Sequence, residues 1–77
     1  MELMAKILQD YCDEKKHLLK ESNNGFLIYF YQGWASQIDI MFLVRCANEY
    51  GWHFFIAGDE NYACYAKVYE PILPIAA

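Results

Sequence analysis

The chain has 77 residues, of which 57% are hydrophobic, 18% aromatic and 21% charged. Such a composition excludes intrinsic disorder, and the length is that of one small domain over residues 1–77. Ten acidic side chains against six basic ones give a formal charge of −4. The clustered cations that a nucleic-acid backbone needs are missing, so a neutral or basic protein partner is expected and nucleic acid is not.

Residues 2–20 carry an amphipathic pattern. At about 100° per residue, Leu3, Met4, Ile7, Leu8, Tyr11, Cys12, Leu18 and Leu19 share one broad face, which predicts a helix. Lys15 falls in the middle of that face, so the helix frays there or the lysine snorkels along its stem. Glu21-Ser22-Asn23-Asn24-Gly25 reads as a stop, with Asn or Gly free to take the left-handed position after a helix. The uninterrupted apolar run 26–31 predicts a strand. Ser36 with Asp39 three residues on makes an imperfect capping box for a helix over about 37–50, and Gly51 is placed to end it. A second strand is expected at 52–57, a four-residue hairpin loop at 58–61, and an alternating third strand at 62–69. Pro71 ends that strand and opens an apolar, Pro-containing tail, 71–77.

The expected order is therefore α-β-α-β-β, a two-layer α+β fold with two helices packed on one face of a three-stranded mixed sheet. The first two strands and the intervening helix would form a right-handed βαβ unit. The third strand would run antiparallel, at the edge beside the second or inserted between the other two.

Signatures of catalysis are poor. The chain has no GxGxxG, phosphate-binding GxxxxGK or HExxH pattern. His53 and Cys64 occupy paired strands and could meet as a Cys–His nucleophile, although such a Cys is more often inert core. Three Cys and two His lack the close pairs of a zinc site. Asp59, Glu60 and Asn61 share only acidity with a calcium loop. No catalytic residue, metal or cofactor is expected. Cys12, Cys46 and Cys64 are odd in number and widely spaced, which points to free thiols in a reducing compartment. Met1-Glu2-Leu3-Met4 lacks the basic start of a signal peptide, and no apolar run is long enough to span a bilayer. A cytoplasmic location is expected.

The second predicted helix is apolar nearly all round. Ile40, Leu43, Val44, Ala47 and Tyr50 make a sensible sheet-facing side, while Ile38, Met41 and Phe42 surround Arg45 on the other. Either the first helix covers that second side, or Trp34, Ile38, Met41, Phe42 and Arg45 form a partner-binding surface of hot-spot composition. Tyr29, Tyr31, Tyr65 and Tyr69, expected on the outer face of the sheet, are the rival interface. The run from Gly25 to Phe30 shares aromatic positions with the RNA-contacting strand of RNA-recognition domains. However, Asn24, Leu27 and Ile28 stand where those domains carry a basic, a small and an aromatic residue. The sequence thus points to a small intracellular protein-binding module without enzymatic activity, an inhibitor or adaptor that occludes a partner's site. By size and composition alone, it is of the type common in phages and plasmids. The alternatives are a homo-oligomeric structural or accessory subunit, dimerising through the tyrosine face or an open strand edge, and, more distantly, a small Cys/His enzyme.

Overall fold

A computed structural model describes residues 2–59 and 62–71. The elements are α1 (Glu2–Lys15), β1 (Leu18–Ser22), β2 (Gly25–Tyr29), α2 (Gln37–Tyr50), β3 (His53–Asp59) and β4 (Tyr62–Tyr69). The α+β class is as expected. The sheet is not: it has four strands in the order β1-β2-β4-β3, and every neighbouring pair is antiparallel.

The additional strand comes from the segment read as the end of the first helix. α1 stops at Lys15 because Lys16 adopts a left-handed conformation, φ 65°. The His17 N–H then donates to the Cys12 carbonyl at 2.9 Å, the six-to-one bond of a Schellman cap. A lysine in the position that glycine usually fills hides this stop from the sequence. Leu18–Ser22 pairs with β2, placing Leu19 opposite Ile28 and Glu21 opposite Phe26. The Asn23-Asn24 pair, read as a helix stop, is instead the two-residue turn of this hairpin, with Asn24 at φ 61°. Gly25 is required where β2 meets β4, since a Cβ there would lie 1.8 Å from the Val68 carbonyl oxygen.

β2 and β3 run parallel to each other with β4 between them, antiparallel to both. Of the two placements open to the last strand, insertion is the one adopted, and the β2-α2-β3 crossover steps over it. β2 ends at Tyr29, two residues before the expected limit, and β3 runs on to Asp59. The tip of the β3–β4 hairpin at 60–61 and the tail at 72–77 lie outside the described residues. Among the described residues, no helix is long and apolar enough to cross a membrane.

Cross-strand register sets one face of the sheet. Leu19, Ile28, Ala66 and Ile56 form one row, and Phe26, Val68 and Phe54 the next. Against these rows pack Met4, Leu8 and Cys12 of α1 and Leu43 and Cys46 of α2. α1 lies over β1 and β2, and α2 over β3. Burying each of Met4, Leu8, Ile28, Leu43 and Val68 contributes roughly 1.5–3 kcal/mol against chain entropy. α2 begins and ends as its sequence foretold. Ser36 and Asp39 complete a reciprocal capping box, and Gly51, at φ 73°, donates its N–H to the Ala47 carbonyl.

Candidate functional site

The site is built by the way α2 is turned. Ile40 and Val44, expected against the sheet, are exposed, and the buried side of α2 is Asp39, Leu43 and Cys46. Asp39, expected only as the capping partner of Ser36, is held inside by hydrogen bonds, and the buried face is centred accordingly.

Asp39 Oδ1 accepts from the Tyr11 hydroxyl at 2.5 Å and from His17 Nε2 at 2.8 Å. Asp39 Oδ2 accepts from Ser36 N–H at 3.0 Å, the Ser36 hydroxyl at 2.8 Å and the Gln32 side-chain amide at 3.0 Å. The Tyr31 N–H donates to His17 Nδ1 at 2.9 Å, so in the neutral ring the proton resides on Nε2, facing the carboxylate. Burial alone would raise the Asp39 pKa. The bonds from Tyr11, His17 and Ser36 outweigh it and hold the carboxyl well below the ordinary range. Tyr11 moves the opposite way, pushed far up by burial and by its bond to the ionised Asp39. Both nitrogens of His17 and both oxygens of Asp39 are engaged within the network, which leaves no lone pair of this histidine free to take a substrate proton. The arrangement ties α1, the α1–β1 turn, the β2–α2 loop and the start of α2 together. Sequence reasoning found only its capping box; Tyr11 and His17 are 28 and 22 residues from Asp39, and no local pattern links them.

The tie brings α1 against the flank of α2. Tyr11 stacks on Phe42 with ring centroids 3.8 Å apart and planes 4° from parallel. The first helix therefore covers Phe42, but it does not cover Ile38 and Met41, which remain 60% and 59% exposed. Between the helices runs an open groove of about 480 Å³ with Ile7, Tyr11, Ile38, Met41 and Phe42 as its apolar lining. Asp10 and Glu14 stand on the α1 wall and Arg45 on the α2 wall. Four of the five expected partner-binding residues thus come together. Trp34, 59% exposed, stands on the loop leading into α2 and does not line the groove. The α1 half of the groove was missed because its apolar face was assigned wholly to the core.

The rival surface is also formed in part. Tyr29 is the cross-strand partner of Tyr65, their rings 5.6 Å apart, on the sheet face away from the helices. Tyr69 shares that face and meets His53 and Phe55 edge to face, at 5.6 and 6.3 Å. Lys20 Nζ lies 5.7 Å from the Tyr29 ring centroid. Tyr31 does not belong to this platform. It sits in the turn after β2, exposed, because the strand ends two residues earlier.

The Cys64–His53 dyad does not form. His53 pairs with Tyr69 on the outer face, whereas Cys64 packs toward the helices five residues along β4, about 17 Å away. Among the described residues, no cluster of three His, Cys, Asp or Glu is placed to hold a metal ion. Cys12, Cys46 and Cys64 form no disulfide. Compared with protein-family models, with curated proteins and with solved structures, the chain finds no match.

Proposed function

We propose that this protein is a non-enzymatic protein-binding module of the cytoplasm, an inhibitor or adaptor whose working surface is the groove between α1 and α2. The exposure of Ile38 and Met41 beside the stacked Tyr11–Phe42 pair carries this reading. α2 is capped at both ends and anchored by a buried network, so its exposed apolar side chains are held rigidly in water rather than left over from loose packing. Contiguous apolar surface of this kind on a small protein marks an interaction site. Its residue types, aromatic, Met and Arg, are those enriched at interface centres. The acidic wall at Asp10 and Glu14, on a chain of charge −4, favours a basic partner. An amphipathic helix that inserts apolar residues between Ile38 and Ile7 and turns Lys or Arg toward Asp10 and Glu14 meets both requirements. Seating such a helix covers it, which is how a protein without catalytic groups blocks a partner's site.

The test is differential capture from native lysate. Tagged wild-type protein retains a partner that Met41→Lys loses and that Leu18→Lys, on the exposed β1 surface, still retains. The purified partner then binds wild type about 30-fold more tightly than Met41→Lys, the scale of a hot-spot residue. Equal binding to both refutes the groove.

A further inference from the structure

The two edges of the sheet are unlike. β1, at one edge, is five residues long and carries Lys20 and Glu21, charges that blunt an edge. β3, at the other, is seven residues long, with no Lys, Arg, Glu or Pro in His53–Asp59. Its outer side has no strand partner among the described residues. The bulge between Ala57 and Asp59 falls at its end and leaves the rest of the strand regular.

The helix layer is apolar at the same margin. Phe42 turns toward α1, as its stack on Tyr11 shows, so Ile40 and Val44, on the other side of the buried Leu43, turn away from α1 and toward the β3 edge. The two-residue link from α2 to β3 makes helix and strand antiparallel neighbours, which brings Ile40 and Val44 alongside the strand. Ile40, Val44, Phe55 and Ile56 are 40%, 43%, 46% and 38% exposed.

We infer that this margin is a homodimer interface, with β3 pairing antiparallel to β3 of a second copy and Ile40 and Val44 of the two copies meeting above the joint. The occupant is a second copy because an antiparallel edge is complementary to itself under a twofold axis. Centred on Ile56, the pairing sets Phe55 opposite Ala57 and runs the two strands past each other over their whole length. The four exposed apolar residues present roughly 300 Å², over a third of the ~800 Å² per partner in a standard interface, and about 23 Å of strand edge adds to it. The α1–α2 groove lies on the other flank of α2 and stays open in the dimer.

Light scattering on the size-fractionated full chain tests this directly. The expected mass at micromolar concentration is twice 9.1 kDa. Val44→Lys, at an exposed helix position, and Ile56→Lys, on the edge strand, should each give folded monomers by circular dichroism. Leu18→Lys on the β1 edge and Met41→Lys in the groove should remain dimeric, which separates this interface from the partner site. A monomer at every concentration up to submillimolar, a dimer that survives Val44→Lys, or one broken by Leu18→Lys overturns the inference.

Discussion

Replacing Asp39 with Asn keeps the shape of the buried side chain and removes its charge, and the hydrogen-bond geometry fixes the consequence. In one orientation the new amide NH₂ occupies the Oδ2 position and confronts two donors, Ser36 N–H and the Gln32 amide. In the other it occupies the Oδ1 position and confronts His17 Nε2–H, which cannot shift its proton to Nδ1 while Tyr31 N–H donates there. Neither orientation satisfies the site. Each buried donor left unpaired costs about 1–3 kcal/mol, and the surviving bonds lose the strength that the charge gave them. The expected destabilisation is about 3 kcal/mol, a large part of the ~4–12 kcal/mol available to a domain of this length. Urea unfolding, followed by circular dichroism and by the fluorescence of the buried Trp52, should show it as a midpoint lowered by ~2–3 M. The effect must also depend on pH. Because the folded-state pKa of Asp39 is depressed, its contribution is complete above the ordinary carboxylate range and is lost as pH falls from about 5 toward the folded value. The gap between wild type and variant should therefore narrow on acidification, the other carboxyls being common to both proteins. An Asn variant within 1 kcal/mol of wild type at neutral pH, or a gap that does not close in acid, would refute the role given to this network.

Other perturbations test other parts of the structure. Lys16→Gly should stabilise the fold by about 0.5–1 kcal/mol in the same urea assay, because it relieves a left-handed lysine at the α1 cap. Gly25→Ala should destabilise by ~2–3 kcal/mol or more, since its Cβ would meet the Val68 carbonyl oxygen. Leu43→Asp, at a position 1% exposed, should unfold the domain, whereas Met41→Lys should leave its melting temperature nearly unchanged. In the native protein at neutral pH, Cys12 and Cys46 should resist alkylation, their thiols pushed by burial to about 12 and about 11, and intact mass should show both reacting once urea unfolds the chain.

Local signals in the sequence are reliable where one residue type has one use. Ser36, Asp39 and Gly51 bracket α2 as expected, and the alternation of 62–69 marks the limits of β4. They mislead where one residue type has two uses. Leu18 and Leu19 continue the helical spacing of α1, yet the chain has already turned at Lys16, and the strand they begin gains its stability from pairing with Leu27 to Tyr29. The Asn-Asn pair before an apolar run is compatible with a helix stop and with a hairpin; only the pairing of the flanking segments decides. Asp39 shows the same limit more sharply. Its capping role is local and legible, whereas its burial depends on two partners more than twenty residues away and goes with a core-facing side of α2 that keeps Leu43 but leaves Ile40 and Val44 outside. The docking residues Ile38, Met41, Phe42 and Arg45 are legible because an excess of apolar surface is a property of composition; the α1 side of their groove is not, because Ile7 and Tyr11 look like ordinary core residues until the helices are placed.

The groove between the helices, as the surface that meets a partner, is tested most directly by amide and methyl chemical shifts of the isotope-labelled chain on adding the partner recovered by capture. Shifts should concentrate on Ile7, Tyr11, Ile38, Met41 and Phe42 and leave Tyr29, Tyr65 and Tyr69 unmoved; shifts confined to those three tyrosines, with the groove silent, would contradict it.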